Sequence, residues 1–292
     1  MLSVLIPTYD CDTFSLVKEM QQQLILEAIK FEIICLDDGS HSPLNSKNEK
    51  INTLSFSSFK SLENNIGRSA IRNLLAHTAK YKWLLFLDAD VIPVRSSFVK
   101  DYITCFQKEQ TVFCGGILYQ NKKENFSLLR YKYGKKHEEI SSQRRNENPE
   151  KYFFTSNFLI QKSVFDVVKF DENLTQYGKE DFLFSLQLIQ KNYQVTHLNN
   201  EVYHLGLDEN TLFVTKTKKA MENLVFLDNQ ELIDAKEMPL LSFVRKISLL
   251  KMARTVAKFY PFFEKLTIKK SSVFFLNCLK VSYICHLKSE QK

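Results

Sequence analysis

The chain has 292 residues, enough for one large α/β domain or for one domain with an appendage. Its hydrophobic content of 44% and charged content of 25% are ordinary for a globular protein, and seven glycines and six prolines exclude a linker-type chain. The net charge of +7 comes from residues 236–292, which hold 12 Lys and Arg against 3 Asp and Glu. The basic character therefore carries no information about the ligand of residues 1–235.

The cysteines and the apolar runs bear on the cellular compartment. None of the six cysteines forms a C-x-x-C pair, which favours buried thiols in a reducing compartment over disulfides or a zinc site. No signal-peptide pattern precedes the apolar run at Leu2, and no uncharged apolar run approaches the ~20 residues of a membrane-spanning helix. We therefore expect a cytoplasmic protein, or one bound peripherally to the cytoplasmic face of a membrane.

The N-terminal third alternates predicted strands and helices. Short apolar runs predict strands over 2–6, 31–36, 51–56 and 83–87, with the third of these the weakest. Helical spacing predicts helices over 12–30 and 67–80. We expect Pro7 to end the first strand. Buried strands alternating with helices predict a mainly parallel sheet that is covered on both faces.

The rest of the chain predicts further strands and a helical C-terminal extension. Strands are predicted over 112–118, 153–160, 195–198 and 202–205, and helices over 96–108, 179–193, 209–235, 239–260 and 271–287. The first of these strands is interrupted by Gly115-Gly116, which indicates close approach of a backbone or a ligand. Polar residues 119–151 are expected to be flexible or partly helical. We expect an α/β domain over 1–235 and a basic, hydrophobic helical extension over 236–292.

Polar clusters follow three of the predicted strands: Pro7-Thr8-Tyr9-Asp10, Asp37-Asp38-Gly39-Ser40 and Asp88-Ala89-Asp90. The carboxyl ends of such strands form the ligand edge of an α/β sheet. Carboxylates gathered there repel each other unless a cation or hydrogen-bond donors lie among them. The Asp88-x-Asp90 spacing suits Mg²⁺ or Mn²⁺ on a diphosphate, although both residues could instead cap a helix near Ser96. The Asp-Gly cluster could equally be a simple turn.

Three further positions carry candidate chemistry. Glu180 and Asp181 open a predicted helix, where either helix capping or a general base accounts for them. His204 ends a short strand, and it becomes a metal ligand only if the fold brings it to Asp90. Arg68 and Arg72 lie one turn apart on a helix, where they could contact a diphosphate or hold the acidic loops in place.

Taken in order, eight stretches make the chain resemble a family 2 glycosyltransferase with the nucleotide-sugar-dependent GT-A fold. They are SVLIPTYD (3–10), IICLDDGS (33–40), NIGRSAIRN (65–73), LLFLDADVIP (84–93), GG (115–116), FFTSNFLI (153–160), YGKEDFLFSLQL (177–188) and HLGL (204–207). Residues 153–207 also resemble the acceptor segment of galactosyltransferase-like and chondroitin-polymerase-like enzymes. The resemblance implies an α/β fold with a Rossmann-like, mixed but mainly parallel sheet flanked by helices.

The resemblance also implies the roles of individual residues. Donor binding would fall to Thr8, Asp37, Asp38, Arg68, Arg72, Asp88, Ala89, Gly116 and Asn157, with Gly115 helping to shape the sugar pocket. Ligation of Mn²⁺ or Mg²⁺ would fall to Asp90 and His204, together with Asp88. Asp181 would be the catalytic base, and Glu180 would hold the acceptor or the sugar.

These roles imply a metal-dependent and usually inverting transfer from a nucleotide-diphosphate sugar, most often a UDP-sugar. The acceptor would be a hydroxyl of a glycan or lipid-linked glycan in polysaccharide or glycoconjugate biosynthesis, as in bacterial members. Lys179, beside the implied base, departs from the family pattern, in which many members have an aromatic residue or a second glycine in this segment. One alternative is a haloacid-dehalogenase-type phosphohydrolase, which also places D-x-D after a strand. Another is a non-catalytic nucleotide-sugar-binding module on the same fold.

The C-terminal extension intersperses Phe, Leu and Ile with Lys and Arg. A basic amphipathic helix of this kind can lie in an anionic membrane surface. A helical cap packed on the main domain would also account for the pattern, and the sequence leaves both open. No nucleic-acid-binding motif accompanies the charge, so we expect no nucleic-acid partner.

Overall fold

The computed structural model describes residues 1–174, 177–234 and 238–290. Its strands are β1 Leu2–Thr8, β2 Phe31–Asp37, β3 Ser57–Ser61, β4 Trp83–Leu87, β5 Val91–Pro93, β6 Thr111–Cys114, β7 Ile117–Leu118, β8 Asn157–Gln161, β9 Gln194–His197 and β10 Val202–His204. Its helices are α1 Phe14–Leu26, α2 Asn45–Asn48, α3 Arg68–Thr78, α4 Phe98–Ile103, α5 Leu129–His137, α6 Ser142–Arg145, α7 Lys162–Val167, α8 Glu180–Gln190, α9 Asn210–Asn229, α10 Pro239–Leu249, α11 Ala253–Ala257, α12 Tyr260–Lys270 and α13 Val273–Glu290. The predicted domain boundary after residue 235, where a predicted helix also ends, borders residues 235–237, which lie outside the described residues.

Seven of the described strands form one mixed sheet in the order β3-β2-β1-β4-β8-β6-β9. β3, β2, β1 and β4 are parallel, whereas β8 runs antiparallel to both β4 and β6. β9 is parallel to β6. Because β1, β2 and β4 run in the same direction, the polar clusters that follow them lie at one edge of the sheet, as predicted.

Both faces of this sheet are covered by apolar side chains. Alternate residues of a strand point to opposite faces, so Val4 and Leu85 join one buried cluster while Leu5 and Phe86 join the other. α1 and α4 contribute to the first cluster, and α3, α7 and α8 contribute to the second. All five residues of β4 are buried. The α/β architecture predicted from buried strands is therefore confirmed.

Two predictions for the N-terminal third are wrong in detail. Pro7 does not end β1, which continues to Thr8 and pairs with β2 along its whole length. The pairing of β1 with β4 stops at Leu5, so the missing N–H of Pro7 interrupts no ladder on that side. The predicted strand at 51–56 is also wrong, because the third strand is Ser57–Ser61, and only Phe59 of that edge strand is buried.

A second, smaller sheet has the strand order β5-β10-β7. The predicted strand over 112–118 is split at its glycine pair, so that β6 joins the large sheet and β7 joins the small one. β10 is antiparallel to β5 and parallel to β7. Its register pairs His204 with Val91, the residue directly after Asp90. The small sheet therefore brings the end of β10 to the end of the D-x-D segment.

Residues 119–151 contain the helices Leu129–His137 and Ser142–Arg145 and two short 3₁₀ turns. Of the two expectations for this segment, the partly helical one is confirmed. The side chain of Arg145, at the end of α6, is completely buried. This polar segment, which the sequence does not identify as part of the core, therefore contributes a buried cation to the fold.

The chain divides into two compact units. The first comprises residues 1–120, 137–175 and 180–206 and contains both sheets, and the second comprises 121–136, 176–179 and 207–292. In the second unit the predicted helix over 239–260 is split into α10 and α11, and α12 was not predicted. No helix in the part of the chain that the structure describes is both long and apolar enough to cross a membrane. The predicted boundary after residue 235 stays a prediction.

Candidate active site

The Asp88-Ala89-Asp90 segment joins β4 to β5 at the carboxyl edge of the large sheet. β4 pairs with β1 on one side and with β8 on the other, which fixes the point where the carboxylates begin. Ala89, between the two aspartates in the sequence, packs against the apolar core. The alternative that the two aspartates cap a helix is wrong, because Ser97 is the N-cap of α4.

Asp88 is paired with a buried arginine. Its Oδ1 accepts a hydrogen bond of 2.7 Å from Nη2 of Arg72, whose side chain is only 3% exposed. Arg72 also donates from Nη1 to the carbonyl of Arg68, one turn earlier in α3, and its guanidinium lies over the ring of Phe170. A charged pair that is largely removed from water holds its geometry well. Arg72 therefore fixes the position of Asp88. This agrees with the expectation that an arginine of this helix could hold an acidic loop in place.

Asp90 lies beside His204, the condition that a shared metal site requires. The distance from Oδ2 of Asp90 to Nε2 of His204 is 3.7 Å. Leu205 donates its N–H to the carbonyl of Asp90 at 2.8 Å, which ties the two segments together. A Cβ atom at Gly206 would lie 1.9 Å from Oδ2 of Asp90, so the Asp90 side chain occupies space that only a glycine leaves free.

These residues fit a metal site that the substrate completes. Among the described residues, no group of three or more His, Cys, Asp or Glu side chains could hold an ion by itself. Asp90 supplies a carboxylate and His204 an imidazole, and Mg²⁺ and Mn²⁺ commonly take the rest of their ligands from phosphates and water. Asp88 has one oxygen committed to Arg72, so its predicted role as a metal ligand depends on its other oxygen.

Asp38 organises the loop that precedes α3. Its two carboxylate oxygens accept the N–H groups of Ile66 at 2.7 Å and Gly67 at 3.0 Å. Gly67 is the N-cap of α3 and has a φ of 93°, a left-handed value that favours glycine. Thr8 is buried, and its carbonyl accepts the N–H of Asp38 at 2.9 Å. These contacts connect β1, β2 and the start of α3 at the predicted nucleotide end.

Asp37 is fully buried and accepts hydrogen bonds from three side chains, those of Ser40, Asn45 and Ser61, and from the N–H of Ser40. Burial raises the pKa of this carboxyl, but these donors outweigh burial and hold the pKa below its ordinary value. The following Gly39 has a φ of 64°, so the cluster is also a tight turn. The structure therefore supports the turn, and a role of Asp37 and Asp38 in donor binding stays a prediction.

Glu180 and Asp181 form the first turn of α8 but have different environments. Glu180 is buried, with Oε1 3.8 Å from Nη1 of Arg68 and with Oε2 lacking a hydrogen-bond partner among the described residues. Asp181 is half-buried, and its Oδ1 accepts the N–H of Phe182 at 2.7 Å. Of the two carboxylates, Asp181 is the one more accessible to an acceptor.

The glycine pair and Asn157 belong to a buried polar cluster that the sequence did not reveal. Asn157 accepts from the hydroxyl of Tyr102 at 2.6 Å and donates to the carbonyls of Gly116 and Asn200. A Cβ atom at Gly116 would lie 2.6 Å from the guanidinium of Arg145. The glycines therefore make room for protein groups, and a contact of Gly116 or Asn157 with a sugar stays a prediction.

Arg145 lies at the centre of this cluster. It donates to the carbonyls of Cys114, Gly115, Ile140 and Leu198, and its Nη1 lies 3.2 Å from Nδ1 of His197. Nε2 of His197 lies 3.0 Å from the carbonyl of Pro149. Burial, and to a smaller extent Arg145, lower the pKa of His197 to about 4. No pattern in the sequence singles out a buried arginine whose partners are mostly carbonyl groups.

Solved structures with the same architecture include S. aureus TarS 1-349, which matches with a TM-score of 0.52 and 15% identity over 100% of this chain and 92% of that chain. Its structure in complex with UDP matches with a TM-score of 0.50 and 16% identity over the same shares. GalNAc-T7 with UDP, GalNAc and Mn²⁺ matches with a TM-score of 0.53 and 15% identity over 72% of this chain and 44% of that chain. At these identities the likeness shows the GT-A fold alone. No curated protein matches the chain.

The family model described as glycosyl transferase family 2 matches residues 3–169, more than half of the chain. This range contains Asp88 and Asp90 and ends before Asp181 and His204, whose roles stay predictions. The match favours a transferase over the phosphohydrolase alternative, as does the commitment of Asp88 to Arg72. The chain belongs to glycosyl transferase family 2 and is a glycosyltransferase.

Proposed function

We propose that this glycosyltransferase moves a hexosyl group from a UDP-sugar to a hydroxyl of a glycan or lipid-linked glycan, with Mn²⁺ or Mg²⁺ as cofactor. The observation that carries the proposal is the approach of His204 to Asp90 at the carboxyl edge of the sheet. A carboxylate and an imidazole far apart in the sequence meet where ligands of α/β sheets bind. The folds of TarS and GalNAc-T7, solved with UDP and with UDP and Mn²⁺, support the choice of donor and metal.

In this proposal Asp90 and His204 hold the metal, with the second carboxylate oxygen of Asp88 as a further candidate. The metal, when bound, stabilises the negative charge of the departing diphosphate. An imidazole ligand favours Mn²⁺ over Mg²⁺, because Mg²⁺ prefers oxygen ligands. Arg72 holds Asp88 so that the carboxylates at the end of β4 keep a fixed position.

The nucleotide end of the donor site is assigned to the edge formed by Thr8, Asp37, Asp38 and Arg68. Asp37 and Asp38 are bound by donors of this chain, so we infer that they act chiefly by shaping the backbone that the nucleotide contacts. The side chain of Arg68 is 49% exposed and lies near Glu180, which suits it to the diphosphate. Ala89, Gly116 and Asn157 are assigned to the sugar end.

Asp181 is the proposed base. It takes the proton of the acceptor hydroxyl while that oxygen attacks the anomeric carbon of the donor and the bond to the diphosphate breaks. One displacement of this kind inverts the anomeric configuration. Its partial exposure supports this role, whereas the burial of Glu180 next to Arg68 suits a residue that orients the sugar or the acceptor. Lys179 has a φ of 80°, an unusual left-handed value for a lysine directly before α8.

We further infer a cytoplasmic protein that binds the anionic face of a membrane peripherally. The support comes from residues 239–263, which contain five Lys and Arg and no Asp or Glu. Within them Leu249 is 82% exposed and Leu250 69%, while Phe259 and Phe262 are also exposed. Exposed apolar side chains among basic ones match the interface of an anionic bilayer. A lipid-linked acceptor in polysaccharide biosynthesis would be presented at such a surface.

The first test is a thermal-shift titration of UDP, GDP and their sugars with and without Mn²⁺. We expect a UDP-sugar to raise the unfolding temperature only when metal is present, and Asp90→Ala to abolish this metal-dependent rise and turnover. Asp90 is 36% exposed, so the variant should unfold at nearly the wild-type temperature without ligand. Asp166→Ala, at an exposed aspartate in α7, is the control that should respond like wild type. A metal-dependent response that survives in Asp90→Ala would refute the proposed metal site.

A further inference from the structure

We propose that Tyr119 is a positioning residue that holds the imidazole of His204 in the plane where Nε2 faces Asp90. This inference rests on the proposed function, in which His204 is a metal ligand. Tyr119 follows β7, and its partner Glu138 follows α5, so both are far from Asp88-Ala89-Asp90 in the sequence. The inference gives both residues a part in metal affinity.

The His204 ring is not fixed by hydrogen bonds of its own. Nε2 lies 3.7 Å from Asp90, and Nδ1 is buried without a hydrogen-bond partner among the described residues. A histidine that binds a metal is usually oriented by a hydrogen bond from its second ring nitrogen to a carboxylate or a carbonyl. The rotation of an imidazole about χ2 is otherwise broad. Another contact must therefore set the plane of this ring.

The ring of Tyr119 supplies that contact. It stacks on the imidazole of His204 with 5.7 Å between centroids and 26° between the planes. Tyr119 is only 2% exposed, so the stack is shielded from water. Offset stacking of this kind fixes the plane of both rings. It does not choose between the two orientations within that plane, and the carboxylate of Asp90 selects the one with Nε2 toward it.

Tyr119 is itself anchored at both ends by two consecutive glutamates. Its hydroxyl donates to Oε2 of Glu138, and its main-chain N–H donates to Oε2 of Glu139 at 3.0 Å. Tyr119 follows β7, whose pairing with β10 sets Ile117 against Val202 and Leu118 against Tyr203. The next step of this register brings Tyr119 to His204. The sheet thus sets the position of the tyrosine ring, and Glu138 and Glu139 hold it there.

The test measures Mn²⁺ binding by electron paramagnetic resonance, with and without UDP, in the full-length protein. Tyr119→Leu removes the ring, and we expect Mn²⁺ affinity to fall about tenfold, as for other residues that orient metal ligands. Tyr119→Phe and Glu138→Gln keep the ring but weaken its anchor, and each should lower affinity about threefold, with no further loss in the double variant. Tyr152→Leu, at another buried tyrosine of the same unit, is the packing control and should bind Mn²⁺ like wild type.

A cycle with His204→Asn separates this inference from the proposed function. In the His204→Asn background Tyr119→Leu should cause no further loss, because no imidazole remains to be positioned. If His204→Asn binds Mn²⁺ like wild type, the metal role fails and this inference fails with it. If His204→Asn weakens binding but Tyr119→Leu does not, only the inference is overturned. Should Tyr119→Leu not fold, wild-type affinity in both Tyr119→Phe and Glu138→Gln would overturn it.

Discussion

Asp88 and Asp90 are separated by one residue, yet they face different kinds of side chain. Asp88 faces the guanidinium of Arg72, and Asp90 faces the imidazole of His204. The permanent cation neutralises the first carboxylate within the protein, because an arginine does not lose its proton. The second carboxylate faces an imidazole at 3.7 Å and not a guanidinium, which leaves it suited to an external cation. The D-x-D segment thus combines one structural carboxylate with one that is available to a ligand.

At the next pair of carboxylates, we predict that Asp181→Asn lowers kcat by about 10²–10⁴-fold, the usual contribution of a general base. Asparagine preserves the size of the side chain and can still accept the N–H of Phe182, so α8 should be intact. The affinity for donor should not change, because the lost group acts on the acceptor. The measurement is the rate of transfer together with donor binding by calorimetry.

The control for this experiment is Asp166→Asn, which removes one negative charge from an exposed position in α7. It should leave both the rate and the affinity unchanged. Unaltered transfer by Asp181→Asn would show that another group takes the proton. Glu180→Gln would then be the next variant to measure, since its carboxylate lies in the same helical turn.

At the residue scale the sequence predicts positions better than partners. The sequence motifs single out Asp90, His204 and Asp181, and the structure brings the first two together. The sequence indicated that Arg72 could hold an acidic loop, but it did not identify Asp88 as its partner. The contacts of Arg145 were not predictable, because they depend on segments that meet only in the folded chain. A buried arginine bound to carbonyl groups has the same sequence signature as one in solvent.

At the scale of elements, β9 is fixed by a buried histidine whose ring is held at both nitrogens. The guanidinium of Arg145 donates to Nδ1 of His197, so the proton of the neutral ring must be on Nε2, where it reaches the carbonyl of Pro149. Protonation of Nδ1 would break the bond to Arg145 and place two cations side by side. Burial, with a smaller effect of Arg145, accordingly lowers the pKa of His197 to about 4.

This geometry predicts an acid-sensitive fold. Above the ordinary histidine pKa of 6.5 the ring is neutral in both the folded and the unfolded chain. Below it the unfolded chain binds the proton first, so the free energy of unfolding decreases as the pH is lowered. The decrease from this residue ends near pH 4, where the folded protein also binds the proton. The loss from this residue is about 3 kcal/mol. Urea unfolding across this pH range measures it.

His197→Gln is the matched variant, because a glutamine can accept from Arg145 and donate to Pro149 without titrating. Its free energy of unfolding should be lower than that of wild type at neutral pH but should change less between pH 6.5 and 4. An equally steep loss in His197→Gln would assign the acid sensitivity to other groups. Carboxylates such as Asp37, whose pKa is held low by its hydrogen bonds against the effect of burial, lose their contribution only at lower pH.

Elements with a strong apolar pattern were predicted, and those defined by pairing were not. β4 is apolar throughout and buried throughout. β3 is a polar edge strand that forms because β2 offers it a partner, and the apolar residues before it drew the prediction to 51–56. The split of 112–118 into two sheets likewise depends on β10, which lies far along the chain. Local composition cannot report such partners.

At the scale of the whole molecule, charge is distributed unevenly between parts of the chain. Residues 236–292 hold four times as many Lys and Arg as Asp and Glu, although the rest of the chain is nearly balanced. In residues 239–263 the exposed side chains include Leu249, Leu250, Arg254 and Lys258. Exposed apolar groups in water are unfavourable unless a partner covers them. We expect the surrounding positive charge to favour an anionic surface over a neutral one as that partner.

We therefore predict that the protein sediments with vesicles containing phosphatidylglycerol and not with vesicles of phosphatidylcholine alone at about 0.1 M salt. Each basic residue near an anionic surface contributes about 1 kcal/mol, so Arg254→Glu/Lys258→Glu should weaken binding at least tenfold.

Lys100→Glu/Lys108→Glu reverses two exposed charges in residues 1–235 and should have little effect on vesicle binding. Leu249→Ser/Leu250→Ser should weaken binding even at low salt, because it removes apolar contact and no charge. Self-association that is lost in Leu249→Ser/Leu250→Ser, without vesicle binding, would show instead that a second copy of the chain covers this surface.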